Sequence, residues 1–272
     1  MKIILFANSD WYLYNYRLVF AKFLREQGHE VILISPSGKY SQLLQQEGFS
    51  WLPLEFSRDS LNPIKEIRVV WKLSKALREI QPDVLNNFTL KSVLYGSLAA
   101  RQAKIPRVIN AITGRGYLFL NENYVINVVQ YFITPIFRHA LSGTQVIFQN
   151  RDDMDFFLSR RFVATNNTHY IPGSGVDVER FKPDDRDKSE PPIVALCARM
   201  LWEKGIKEFV EAAQIIHAHG KKIRMVLVGG VDPGNPSSVP EELLQEWNNK
   251  GIVEWWGWQE NMLEVYRSSS LV

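Results

Sequence analysis

Ile193-Val-Ala-Leu-Cys197 runs directly into Ala198-Arg199-Met-Leu-Trp-Glu-Lys204-Gly205, and a helical period follows over Ile206–His219. Five consecutive apolar residues ahead of a polar loop and a helix read as a strand buried on both faces, the mark of a parallel α/β sheet. Ligands of such sheets collect at the loops that leave the carboxyl ends of the strands. Here that loop carries an arginine and a lysine five positions apart and reaches a helix at a glycine. Two fixed cations, the oriented N–H groups of a helix start and the positive end of its dipole together suit a phosphate or diphosphate. The plainer reading makes Arg199 and Lys204 solvated loop charges, as most surface basic residues are.

Working outward, strand and helix patterns continue to alternate. After residue 192 the series is strand Ile193–Cys197, helix Ile206–His219, strand Arg224–Val228, helix Pro240–Asn249, strand Ile252–Trp255 and helix Asn261–Arg267, with Leu271-Val272 as the opening of a further strand. Before residue 172, strands are expected at Lys2–Ala7, Val31–Ser35, Ser50–Leu54, Val84–Asn86, Val108–Ala111, Gln145–Gln149 and Thr168–Ile171. Helices are expected at Tyr14–Gln27, Tyr40–Glu47, Asn62–Ile80, Leu90–Ala103, Tyr124–His139 and Asp152–Phe157. This alternation predicts two doubly wound α/β domains, 1–172 and 193–272, joined by the glycine-, proline- and charge-rich linker 173–192. A domain with three strands and a stub leaves a sticky edge, so the sequence reads as a piece that stops inside its second domain.

Composition narrows the setting. The 272 residues carry a net charge of +3, which gives no general case for a nucleic-acid partner. The single cysteine, Cys197, lies in an apolar strand, so no disulfide framework exists and a reducing, cytoplasmic setting is expected. Met1–Ala7 is too short and lacks the cleavage site for a secretory signal, and reads as the first buried strand. Five scattered histidines offer no metal pair. His217 and His219, two apart on a helix, face different ways.

Ala198–Gly205 resembles the G-R-L-x-x-x-K-G phosphate motif of the retaining family 4 glycosyltransferases, which have the GT-B fold of two Rossmann-like domains facing a cleft. Ser174-Gly-Val-Asp177 with Phe181 is similar to that family's N-G-V-D-x-x-x-F signature. Val226-Leu-Val-Gly229-Gly230 and Val253-Glu-Trp-Trp-Gly257 resemble its next two strand ends. Phe56-Ser-Arg-Asp-Ser-Leu-Asn-Pro63, Gly205-Ile-Lys-Glu-Phe209 and Val228-Gly-Gly-Val-Asp232 with Asn235-Pro-Ser237 resemble the bacterial enzymes that add N-acetylhexosamine to undecaprenyl-diphosphate-linked sugars in polysaccharide or glycoprotein assembly.

The resemblance implies a nucleotide-sugar donor, with Arg199 and Lys204 as the catalytic clamp on its diphosphate, and neither cofactor nor metal. Gly205, Gly229, Gly230 and Gly257 would admit the donor's phosphates, and Trp258, Gln259 and Glu260 would border its base. Apolar packing is the competing reading for Trp258 and the preferred one for Trp255 and Trp256. A lipid-linked sugar acceptor would meet the first domain at Asn8, Tyr14, Asn15 and Arg17 in the first loop, at Lys91 and Ser92, and at Thr113 and Arg115 in Thr113-Gly-Arg-Gly116-Tyr117. Arg17 reads equally as a helix-surface arginine. Where many relatives carry a histidine facing the reacting sugar, this chain has Thr113, so that role does not transfer. The family's two glutamates, eight apart, fall beyond Val272, and little turnover is expected of this polypeptide alone. Aspartates 152, 153 and 155 read as helix-start residues.

Residues 58–107 hold ten basic residues against four acidic ones. Lys65, Arg68, Lys72, Lys75 and Arg78 recur at spacings of three and four, with Ile64, Ile67, Val70, Trp71 and Leu77 among them. Such a helix can lie on an anionic inner-membrane leaflet, or cover the sheet with a solvated charged face. Tyr124–Leu141 is too interrupted by polar residues and Pro135 to span a bilayer. Two other functions fit the same architecture: a nucleotide-sugar epimerase, disfavoured by Thr113 and the linker pattern, and a non-catalytic nucleotide-binding module.

Overall fold

The computed structural model describes residues 1–57, 60, 62–115, 119, 124–182 and 190–272, with 124–129 as helical backbone. Gly116, Tyr117, Arg58, Asp59, Leu61 and linker residues 183–189 lie outside the described residues. The chain divides into two compact units, Met1–Gly175 and Val176–Val272.

In the first unit, β1 (Lys2–Phe6) is built as period 2 requires. Ile4 and Phe6 enter one core with Ile32, Ile34, Leu73, Leu77 and Tyr95, while Ile3, Leu5 and Ala7 enter another with Leu13, Ala21, Val31, Leu33 and Leu44. Both faces are covered, hence the unbroken apolar run. Around β1 stand β2 (Glu30–Ser35), β3 (Ser50–Pro53), β4 (Val84–Phe88), β5 (Arg107–Ile112), β6 (Gln145–Phe148) and β7 (Thr168–Tyr170), all parallel in the order β3-β2-β1-β4-β5-β6-β7. The order reverses between β1 and β4, which makes their carboxyl ends the topological switch point.

The first helix departs from the expected Tyr14–Gln27. Ser9 caps a single turn, α1 (Asp10–Tyr12), by accepting the Tyr12 N–H at 3.2 Å, so helical structure starts four residues early. A π-helical turn over Leu13–Arg17 follows, then α2 (Leu18–Glu26). Leu13 and Arg17, four residues apart on one face, are both buried, and π-turns of this kind gather at functional sites. The remaining helices are α3 (Ser41–Gln46), α4 (Pro63–Ile80), α5 (Leu90–Ala103), α6 (Tyr124–Leu141) and α7 (Arg151–Ser159), each within a few residues of expectation. Under α5, the Asn87 Nδ2 donates to Asn110 Oδ1 at 2.8 Å and Ser97 Oγ to the same oxygen at 3.1 Å. Gly96 sits on that network, where a β-carbon would lie 1.9 Å from Asn87 Oδ1.

The second unit holds β8 (Ile193–Cys197), β9 (Arg224–Val228) and β10 (Glu254–Gly257), parallel in the order β10-β9-β8, with α8 (Ile206–Ala218), α9 (Glu241–Asn249) and α10 (Met262–Ser268). β10 starts two residues later than expected because the Ile252 N–H still donates to Trp247 O at the end of α9 (3.0 Å). Leu271 makes an isolated parallel bridge to Val194 on the outer edge of β8. The first half of the expected linker is folded. Ser174 belongs to the first unit, while in the second Asp177 Oδ1 accepts the N–H groups of Glu179 and Arg180 and Phe181 packs 6.1 Å from Tyr266.

Candidate functional site

The loop between β8 and α8 is held by backbone bonds to the loop after β9. Ala198 N–H donates to Val228 O (3.0 Å), Met200 N–H to Gly230 O (3.0 Å), Trp202 N–H to Ser237 O (3.0 Å) and Val239 N–H to Met200 O (2.9 Å). Met200 and Leu201 are buried, so the loop is anchored from below and its polar residues face out. Arg199 pairs with Asp232, which also accepts Asn235 Nδ2 at 3.2 Å, leaving the guanidinium half-exposed and laterally fixed. Glu203 accepts the Ser237 hydroxyl. That bond, with smaller help from Lys204 and Arg199, holds its carboxyl below the usual range.

Lys204 is exposed in the 3₁₀ turn Trp202–Lys204, and Gly205 follows at φ +76° as the N-cap of α8. No side chain caps α8, so its first N–H groups stay available beside two cations. The glycines expected to admit the donor divide into two kinds. Gly229 is committed to the fold: its N–H donates to Gly257 O (2.8 Å), its carbonyl accepts Trp255 Nε1 (2.9 Å), and a β-carbon would meet Ala198 O at 1.8 Å. It therefore seats the cationic loop and leaves no room of its own for a phosphate. Gly257 (φ +65°) is open, and a β-carbon on Gly230 would make only ordinary contact with exposed Trp258, 3.7 Å from its Cβ. Trp255 and Trp256 pack into the two cores of this unit.

The first unit distributes its candidates less evenly. Asn8 is half-buried at the end of β1, Tyr14 lies 5.2 Å from Tyr40, and exposed Asn15 donates to Trp11 O at 2.9 Å. Arg17 is not a helix-surface arginine: it is buried and bonded to Tyr12 Oη and Ser174 Oγ. Lys91 is drawn away from a ligand role: its ammonium donates to Ser57 O (2.7 Å) and Ser60 O (2.8 Å) and pairs with Glu66 (3.3 Å), fastening that loop to α5. Ser92 is fully buried 3.4 Å from Thr89 Oγ1 and presents no surface to a sugar. Thr113 is half-buried just past β5, and Arg115 pairs with the buried carboxylate of Asp153 at 2.8 Å. Asp153 thus does more than start a helix.

Two carboxylates have no separate signal in the sequence. Buried Asp10 accepts Tyr40 N–H (2.7 Å) and Ser41 Oγ (2.9 Å), tying the first loop to the loop after β2, and Asp232 orients Arg199. The positional clue for Asp10 is Gly38, whose β-carbon would fall 2.4 Å from Asp10 Oδ1. Among the described residues no group of three His, Cys, Asp or Glu is placed to hold a metal ion.

Two parallel α/β units, the second with a cationic loop at a helix start beside its strand ends, are the parts of the GT-B fold. HepE of Anabaena, solved in complex with UDP and glucose, superposes with a TM-score of 0.70 at 18% identity over 99% of this chain and 72% of its own. Residues 2–151 match the family model described as glycosyl transferase 4-like, and residues 191–272 match glycosyl transferases group 1. The chain belongs to the glycosyl transferase 4-like family. It is 30% identical to the N,N'-diacetylbacillosaminyl-diphospho-undecaprenol alpha-1,3-N-acetylgalactosaminyltransferase of Campylobacter jejuni, over all of this chain and 73% of that protein. It is 23% identical to the UDP-Gal:alpha-D-GlcNAc-diphosphoundecaprenol alpha-1,3-galactosyltransferase of Escherichia coli, over 78% of this chain and 56% of that protein.

Proposed function

We propose that the chain transfers a sugar, an N-acetylhexosamine, from a UDP-sugar to a glycan carried on a lipid diphosphate, with retention at the anomeric carbon. The observation that carries this reading is the anchored loop Ala198–Gly205, which fixes Arg199 and exposes Lys204 beside the uncapped start of α8. A diphosphate leaving group gains charge as its bond to the anomeric carbon breaks, and preorganised cations stabilise that charge most where it develops. The acceptor hydroxyl attacks from the face the diphosphate leaves. Its oxygen bonds to the anomeric carbon, its proton passes to the departing phosphate oxygen, and UDP is released. No protein nucleophile is needed. Trp258, exposed beside Gly230, offers an apolar face to the uracil. The names of the Campylobacter and E. coli relatives support the lipid-diphosphate acceptor and a UDP-linked donor.

The test is incubation of the full gene product with a panel of UDP-sugars and a polyprenyl-diphosphate-sugar, with product read by mass spectrometry. Product from one donor supports the reading. UDP binding without transfer to any acceptor sinks the acceptor assignment and leaves the binding-module alternative, whereas interconversion of the UDP-sugar itself identifies an epimerase.

Peripheral contact with an anionic membrane is part of the same reading. α4 buries Val69, Val70, Leu73 and Leu77 against the sheet, yet Ile64, Ile67 and Trp71 are 64%, 68% and 59% exposed and share its outer face with Lys65, Arg68, Lys72, Lys75 and Arg78. Packing explains the inner stripe and not the outer one. An apolar ridge set among five exposed cations matches the acyl boundary of an anionic leaflet, where each cation contributes about 1 kcal/mol. No helix among the described residues is long and apolar enough to cross a membrane. The protein is expected to sediment with anionic vesicles at low salt, and Ile67→Glu with Trp71→Glu to lower that partitioning about tenfold without changing the melting temperature. Equal sedimentation of both forms counts against this face.

A further inference from the structure

β1 and β4 are neighbours from which the chain departs in opposite directions, so the segments after Phe6 and Phe88 part and leave a crevice at the switch point. Arg17 stands in it, only 9% exposed. Its guanidinium lies 4.3 Å over the Phe88 ring, and Nη2 donates to Tyr12 Oη at 2.6 Å and to Ser174 Oγ at 3.2 Å. Every one of these partners is neutral. Among the described residues no carboxylate pairs with Arg17, its Nε is buried without an acceptor, and no acceptor meets Nη1. A buried charge left without a counter-charge is costly, so its persistence asks for an anion.

The hydroxyls around it point the same way. Ser174 Oγ accepts from Arg17 and also from Gln149 Nε2 at 3.0 Å, so both its lone pairs are engaged and its own hydrogen is directed elsewhere. Tyr12 Oη accepts from Arg17 and keeps its proton to donate. The cluster therefore offers donors and one positive charge, and no acceptor. Directly after Phe88, Thr89 sits at φ +71°, ψ 149°, a region almost reserved for glycine, and such strain concentrates where a fold positions a ligand.

We propose that this crevice is an oxyanion subsite, with Arg17 as the ligand and the Tyr12 and Ser174 hydroxyls as flanking donors, and that it takes a phosphate of the acceptor's diphosphate. The assignment to the acceptor rests on the transfer reading above. The donor's diphosphate has its own cations, Arg199 and Lys204, in the other unit.

Inorganic pyrophosphate is titrated calorimetrically into the chain carrying Arg199→Ala and Lys204→Ala, then into the same chain with Arg17→Gln added. Binding that persists in the first and falls at least tenfold in the second supports the subsite; equal affinity overturns it. Should Arg17→Gln fail to fold, Tyr12→Phe and Ser174→Ala replace it, each expected to weaken pyrophosphate about threefold to tenfold. In steady-state assays of the full gene product, Arg17→Gln should raise the acceptor KM at least tenfold, with Arg17→Lys intermediate and the nucleotide-sugar KM within twofold of the parent. A merely structural arginine would move both KM values and the melting temperature together. A shift confined to the nucleotide-sugar KM overturns the acceptor assignment. If no acceptor is ever used but Arg17-dependent pyrophosphate binding remains, the transfer reading fails and the oxyanion subsite stands.

Discussion

Alanine at Arg199 and Lys204 together lowers sugar transfer by about 10³- to 10⁵-fold while leaving the melting temperature within a few degrees of the parent. The magnitude follows from removing two preorganised donors from a developing anion, each worth about 10²- to 10³-fold alone, with less than full additivity because both act on one leaving group. The stability side follows from exposure. Arg199 is half-exposed, and its ion pair with Asp232 is open to solvent, where such pairs contribute about 0–1 kcal/mol. Lys204 is exposed in a 3₁₀ turn. The loss should appear mainly in kcat, because the clamp tightens as charge develops. Asp232→Asn is the informative companion: it keeps Arg199 charged but loosens its tether, and should cost about tenfold. The measurement is product formation by mass spectrometry over a range of donor concentrations. A double variant retaining more than about a tenth of the parent rate would show that these cations are the solvated loop charges their sequence setting also allows.

How much of this is legible in the sequence depends on the range of the interaction. The β8 and β9 boundaries and α5 follow from local pattern alone, since an unbroken apolar run or a 3.6-residue period needs no partner to be read. The cationic loop and its helix are equally local. Arg17 is ambiguous in the sequence because two of the groups that hold it, Phe88 and Ser174, are brought close only by the folded chain. Lys91, Ser92 and Arg115 carry the right chemistry for a ligand. Their fate is set by Ser57, Ser60, Glu66, Thr89 and Asp153, partners brought close only by the folded chain. The outer stripe of α4 is visible as residues and not as a face. Periodicity places Ile64, Ile67, Val70, Trp71 and Leu77 among the cations, and packing then divides them, Val70 and Leu77 inward and the other three outward.

Gly229 is a motif glycine that the fold itself requires, and its substitution has the largest expected effect on stability. An alanine there must hold φ +147°, and its β-carbon would lie 1.8 Å from the Ala198 carbonyl oxygen and 2.9 Å from the carbonyl carbon. The obstacle is backbone, at the point where the cationic loop leaves β8, so no side-chain rotation relieves it. Either the 198–205 loop shifts off β9, breaking the bonds of Ala198 to Val228 O and Met200 to Gly230 O, or the second unit opens. The expected cost is on the order of 3–5 kcal/mol, well above the ordinary range for a point substitution. Gly234 is the matched control. It lies in the loop after β9 at φ +86° with nothing within 4 Å of the position a β-carbon would take, so Gly234→Ala carries only the backbone penalty of about 1 kcal/mol. Urea unfolding followed by the tryptophans of the second unit should separate the two variants clearly, with Gly229→Ala also losing UDP binding. If Gly229→Ala unfolds no earlier than Gly234→Ala, the close approach of Ala198 is wrong, and Gly229 returns to the role of admitting phosphate.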